Sequence, residues 1–520
     1  MKSRLMEISM KNLFGRLISY LIAVFSGLIF VNAIFSDHFS FNQLPKRLVF
    51  ILSILFFIGG LLSCNFKKVM IFLQRIKRFF TKKVIFFIGH GLFGLGIFFQ
   101  ILSLIFQPGL PQSDPGGIFL FAYSQGYKDS FYFSENPNNL FLYCFIRLFR
   151  WIFHFLNKTN FLILLQIVNV AAIAFFVLIL SLVGSRLFSK RLGAIVYFLG
   201  IFSILFSPWG YVVYTDTFSL PIVALVLWIL TSLFDNFRKN YFVKKNKIYL
   251  KSALTGILTG LTYLIKPSAI LFIFSLFFVI LLSKLNWKEK SQKRILFFSG
   301  CCLILGFSMV KISFDFFIKH QSMLVIDYKK AKPWTHFMMM GLTEKGGFSG
   351  ADVAATNCMP SRKEKINMNL SVIAHRLKKY GWLGYFHFLL LKNKYNTSDG
   401  SFGWGGEDCF IKPVIRRKNF ISNWLFETFF EGGKKRYTYY FFAQVVWIGV
   451  TFLMLIFSLV SFSSKSNLLI WLKFSLVTNF TFLLIFEGGR SRYLIQFLPF
   501  LLLYAALGVE WLLDYAKRKL

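Results

Sequence analysis

The chain has 520 residues, 56% of them hydrophobic and 20% aromatic, with a formal net charge of +39. Mean hydropathy is +0.60, whereas a soluble domain is about 45–50% apolar, so the composition excludes a surface that faces only water. The Lys and Arg residues stand between apolar runs, which assigns the charge to membrane orientation and headgroup contact and not to nucleic acid.

A hydrocarbon core of about 30 Å needs about 20 apolar residues per helical span. On that measure the sequence predicts an all-α polytopic membrane protein with twelve spans. They are Leu17–Phe35, Leu48–Cys64, Val84–Gln107, Phe161–Val183, Gly193–Trp209, Phe218–Phe234, Ser252–Ile265, Ala269–Leu282, Ile295–Phe317, Tyr440–Phe462, Leu468–Phe486 and Leu494–Leu513. The first run is long enough to remain as an anchor. The seventh and eighth are short and separated by Lys266-Pro267, as in a tight hairpin. Four segments follow: 1–83 with two spans, 84–318 with seven, an outer domain at 319–439, and 440–520 with three.

Alternate loops differ in charge. With both termini cytoplasmic, the inner loops and ends hold about 29 Lys and Arg, against about 9 in the short outer segments, which is the expected bias. Two outer segments exceed a simple connection. Pro108–Asn160 carries an aromatic, amphipathic stretch, Leu140–Leu156, suited to lie along the membrane surface. The other, Lys319–Tyr439, has helical spacing over Ile366–Tyr380 and Leu383–Lys394, then a glycine-rich loop, Asp399–Glu407.

Most carboxylates fall on the outer side, either to solvate the large loop or to serve outward-facing acid/base chemistry. Asp114, in Gln112-Ser-Asp-Pro115, sits at the membrane boundary. It is placed to accept a proton from a hydroxyl, and it also fits the common pattern of a solvated turn Asp before Pro. Asn138 and Asn139 follow near the same interface. Arg147 and Arg150 share a helical face, suiting a lipid phosphate or ordinary snorkelling. Asp216 opens the sixth span, where it can also cap the helix. Lys266 lies in the hairpin, and Glu487-Gly-Gly-Arg490-Ser-Arg492-Tyr493 forms a compact corner, for an anion or for interfacial anchoring.

There is no nucleotide loop, no Asp-x-Asp pair, no His/Cys metal spacing and no serine-hydrolase elbow. No metal or cofactor is expected. Cys358 and Cys409 share the outer loop, and a bridge between them or two free thiols both fit.

Asp114 in an outer loop after a span, the surface helix that follows and the late Arg-Tyr motif resemble the GT-C superfamily of membrane glycosyltransferases. The stretches Met338–Leu342, Gly350–Asp352 and Asp399–Glu407 look closest to members from low-GC Gram-positive bacteria. The resemblance implies a shared seven-span module from Val84 to Phe317 and sugar transfer from a polyprenyl-phosphate carrier. The acceptor would be a cell-wall polymer or glycolipid at the outer face, with membrane lipids as neighbours. It implies Asp114 as the base of an inverting displacement. The donor phosphate then rests near Arg490, Arg492, Lys266, Arg147 and Tyr493. Asp216, Glu487, Asn138, Asn139, Trp404 and Glu407 would hold sugar or acceptor, since an aromatic plane packs on a sugar face. The rival readings are a transporter or flippase of a lipid-linked glycan, and a non-catalytic envelope scaffold or export factor. Matched halves with midplane breaks mark transporters, and this chain divides nine and three around an outer domain.

Overall fold

A computed structural model describes residues 2–36, 82–124, 131–238, 245–284, 290–406, 411–462 and 466–518. The described residues fold as helices and connecting loops apart from one short antiparallel ribbon, in which β1 (Gly109–Pro111) pairs with β2 (Ile411–Pro413). That ribbon ties the segments 108–160 and 319–439 together.

Among the described residues, nine helices are long and apolar enough to cross a membrane: Asn12–Ile34, Phe86–Phe106, Lys158–Leu187, Thr215–Phe234, Lys245–Ile265, Gln292–His320, Arg436–Val460, Asn467–Ile485 and Ser491–Tyr515. They match nine of the twelve expected spans. The expected span Leu48–Cys64 lies outside the described residues. The remaining two take other forms. Ala269–Leu282 falls in a shorter apolar helix, Pro267–Leu282. Gly193–Trp209 is broken: a helix over Lys190–Gly200 passes into a π-helical turn, Ile201–Leu205, and ends before Pro208.

That break has a physical basis. Proline cannot donate to the helix ladder, so carbonyls around it lose their partners, and an unpaired carbonyl away from water is costly. Buried amides on neighbouring spans take over. The Asn169 amide donates to the carbonyls of Trp209, Gly210 and Val212 at 3.0, 3.1 and 2.9 Å. Gln166 donates to those of Gly109 and Tyr211 at 2.7 and 2.9 Å. Gln100 reaches that of Leu205 at 3.0 Å. These three residues make an irregular segment tolerable inside an apolar body.

Elsewhere the spans pack through small residues, as expected where lipid removes the hydrophobic drive between helices. Lys245–Ile265 crosses Lys290–His320 so closely that a Cβ on Gly256 would lie 2.1 Å from the Leu303 carbonyl oxygen. A Cβ on Gly306 would meet that of Ala253 at 2.4 Å.

The stretch after Asn139 forms the helix Leu140–Ile152. It buries Leu142, Tyr143 and Ile146 and leaves Leu148, Trp151 and Ile152 exposed. The unit spanning 319–439 is helical over Trp334–Met340, Gly350–Asn357, Arg362–Thr397 and Phe420–Phe429. Its two expected helices meet inside Arg362–Thr397 at Gly381, whose φ of +60° breaks the ladder. Trp382, just beyond, is 93% exposed. Cys358 is free and exposed, and Cys409 lies outside the described residues.

His336 anchors this unit. It is fully buried, with Nδ1 2.8 Å from the Thr356 hydroxyl. Burial, with Lys332 nearby, pulls its pKa down to about 4. Unfolding restores the ordinary value near 6.5, so the unfolded chain binds the extra proton between those limits. Stability should therefore fall as pH drops from about 6.5 towards 4, by on the order of 3 kcal/mol. Melting of the His336→Gln variant should show a visibly flatter pH dependence across that window. An identical pH profile in the variant would remove His336 as the cause.

Candidate functional site

Asp114 is aimed by a strained turn. The chain leaves β1, passes Gln112, and takes a left-handed conformation at Ser113, φ +59°, before entering the helix Ser113–Tyr123. Such a conformation is uncommon outside glycine and persists only where surrounding structure imposes it. Pro115 fits the first helical turn, where an amide N–H has no intrahelical partner. Gly116 packs so tightly that a Cβ there would lie 1.9 Å from the Pro111 carbonyl oxygen.

The Asp114 side chain is exposed and is held by two phenols. Tyr214 donates its hydroxyl to Asp114 Oδ2 at 3.2 Å, and Tyr132 also bonds to this carboxylate. Burial, then the charge of Asp114, raises both phenols well above their usual range. Both stay protonated and act as donors. Asn139 braces the arrangement from behind, its amide donating to the Tyr132 hydroxyl at 2.7 Å.

Beside it lies a buried charge cluster. Asp216 is 0% exposed; Lys266 Nζ approaches its Oδ1 at 2.5 Å and is 12% exposed. Arg492 Nε lies 3.6 Å from Oδ2 and is 6% exposed, an ion pair too long for a hydrogen bond. The Arg492 guanidinium sits over the rings of Tyr214 and Tyr493, 5.5 and 5.4 Å from their centroids. Lys266 lies 5.1 Å from the Tyr493 ring, and the Tyr493 hydroxyl donates to Glu487 at 3.0 Å. A continuous set of contacts thus runs from Asp114 through Tyr214 and Arg492 to Asp216, Lys266, Tyr493 and Glu487.

The turn carrying Glu487 and Arg490 is fastened to the 319–439 unit. Lys392 donates to the carbonyls of Gly341, Leu484 and Phe486 at 2.7, 3.0 and 2.6 Å. Burial pulls its pKa down to about 7, against the opposing charge of Glu487. The Gly489 amide donates to Asn396 Oδ1 at 2.6 Å and the Gly488 amide to the Gly346 carbonyl at 2.8 Å.

Not every expected residue joins the cluster. Arg490 and Arg492, read from the sequence as one corner, diverge. Arg490 is extended (φ −145°, ψ 126°) and the chain turns helical at Ser491, so the guanidinium of Arg490 lies over Phe348, 5.8 Å from its centroid. Arg147 donates to the Ala122 carbonyl at 3.1 Å, closing the helix Ser113–Tyr123 against the surface helix. Arg150 donates to the carbonyls of Phe153, His154 and Leu156 and lies over the Tyr123 ring at 4.4 Å. Asn138 is exposed and contacts Asn139 at 3.4 Å. Trp404 corrects the expectation of a ring open to sugar. It is 1% exposed, donates its indole N–H to the Phe429 carbonyl at 3.0 Å, and packs against Trp209 and Tyr211. Glu407 lies outside the described residues. Tyr132 and Tyr214 were missed as partners of Asp114, although each lies in a polar-aromatic stretch, Tyr132–Asn139 and Tyr214–Thr217, that the sequence marks.

A family described as a conserved hypothetical integral membrane protein matches residues 8–511. The chain belongs to that family. No curated protein and no solved structure matches it. Family membership and the apolar helices agree that this is an integral membrane protein, in contact with membrane lipids.

Proposed function

We propose that the chain is a membrane glycosyltransferase that moves a sugar from a polyprenyl-phosphate carrier to an acceptor at the outer face. The observation carrying this reading is the exposed Asp114 carboxylate, oriented by Tyr214 and contiguous with the cations Lys266 and Arg492. In this reading Asp114 takes the proton of an acceptor hydroxyl as its oxygen attacks the anomeric carbon. The bond from that carbon to the phosphate oxygen breaks with inversion, and polyprenyl phosphate leaves with the bonding pair. In this reading the positive charges of Lys266 and Arg492 ease departure of the phosphate. Asp216 is their counter-ion, buried and doubly engaged, which suits it poorly to serve as a second base.

The test is direct. Purified protein given a polyprenyl-phosphate sugar and envelope glycan should release polyprenyl phosphate and extend the glycan. No turnover with any lipid-linked sugar, from folded protein, would end this reading.

The reading also requires Asp114 to face outward with both termini cytoplasmic, as the loop charges imply. With native cysteines replaced by serine, Lys363→Cys should label on intact cells with an impermeant thiol reagent. Lys247→Cys should label only after lysis. The reverse order would put Asp114 on the wrong side.

A further inference from the structure

The divergence of Arg490 from Arg492 exposes a second feature. A cavity of about 890 Å³ opens between the 342–350 stretch, the helix Arg362–Thr397 and the turn at Gly489 and Arg490. Four basic side chains line it, Lys345, Arg376, Lys379 and Arg490, against one carboxylate, Glu344. Asp352 engages Arg376 through two hydrogen bonds of 2.8 and 2.7 Å, which fixes the guanidinium, while Lys345 and Lys379 stand exposed at the cavity. The first residue of the helix Gly350–Asn357 also lines the cavity, adding the partial positive charge of a helix start. Phe348 and Tyr395 provide aromatic walls, and Lys345 lies over the Tyr395 ring at 5.0 Å.

The floor is built. The Gly488 amide donates to the Gly346 carbonyl at 2.8 Å, and a Cβ at Gly489 would lie 2.2 Å from that of Lys345. The volume is in the range of small-molecule sites. It is several times what a lone phosphate fills, so the ligand has a body as well as a charge.

We propose that this cavity binds a sugar unit carrying phosphate or carboxylate, and that the acceptor glycan is therefore anionic. The basic residues take the charge, and the aromatic walls take the ring face. The assignment as acceptor rests on the transfer reading above; the binding itself does not.

Binding is tested with glucose 6-phosphate as probe and the full chain in phosphatidylcholine nanodiscs, by calorimetry. Glucose 6-phosphate should bind and glucose should not. The double variant Lys345→Gln/Lys379→Gln should weaken binding about tenfold or more. Both side chains are exposed, so the fold is kept. Asp114→Asn should bind the probe unchanged while losing transfer, which separates a failure of this site from a failure of the transfer reading. Equal affinity of the double variant, or equal binding of neutral glucose, would overturn the proposal. Loss of the probe when phosphatidylglycerol is added to the nanodisc would assign the cavity to a lipid headgroup and overturn it too.

Discussion

Asp114→Asn should lower sugar transfer by about 10²–10⁴-fold, the ordinary contribution of a general base. The amide keeps the size of the carboxylate and can still accept from Tyr214, now 3.2 Å from Oδ2. It cannot take the acceptor's proton. Folding should survive, because the side chain is exposed and the turn around it is set by the backbone of Ser113 and Gly116. Tyr214→Phe removes a donor that orients the carboxylate and should cost less, about tenfold, mainly in kcat. Suitable controls are exposed carboxylates of the 319–439 unit such as Glu431. Glu135 is unsuitable despite its place in the same outer segment: it is buried, 3.1 Å from Lys332 and 2.6 Å from Asn357. The comparison uses purified variants on one lipid-linked sugar, with melting followed in parallel. Near-normal turnover by folded Asp114→Asn protein would remove this residue from the mechanism.

What could be read along the chain was set by local physics. The length and apolarity of Lys158–Leu187 or Asn467–Ile485 leave little choice but a span, and the break at Gly381 follows from glycine between two amphipathic runs. The interruption at Pro208 was harder to see, because Gln100, Gln166 and Asn169, which make it tolerable, lie tens of residues upstream. The site shows the same division. Asp114, Asp216, Lys266, Arg492 and Glu487 each stood out as polar groups at a helix end. Their pairing did not, since Tyr214 meets Asp114 across 100 residues and Lys266 meets Asp216 across 50. Spacing alone put Arg490 beside Arg492, and only the change from extended to helical backbone at Ser491 separates them. Trp404 stood in a glycine-rich loop that reads as ordered and able to close over an acceptor. Asp399 instead folds that loop inward by accepting from the amides of Ser401 and Gly403 at 2.7 Å each.

Asp216→Asn should be among the most destabilising single changes in the chain. Asp216 is fully buried between Lys266 and Arg492, themselves 12% and 6% exposed. Deleting its charge leaves two cations with little access to water, and breaking a buried pair in this way costs about 3–5 kcal/mol. The sign of the companion variant separates charge from shape. Lys266→Met removes one cation and leaves Asp216 paired with Arg492, so it should cost less. Asp216→Asn combined with Lys266→Met leaves one buried cation instead of two beside the neutral amide, and should be more stable than Asp216→Asn alone. Residues in direct contact are expected to depart from additivity in this manner. The measurement is thermal or denaturant unfolding of the purified variants in one detergent, with the three proteins compared at the same pH and salt. Asp216→Asn within a few tenths of a kcal/mol of the parent would show that the cluster is not held by charge. Additive losses in the double variant would show that Asp216 acts through something other than Lys266.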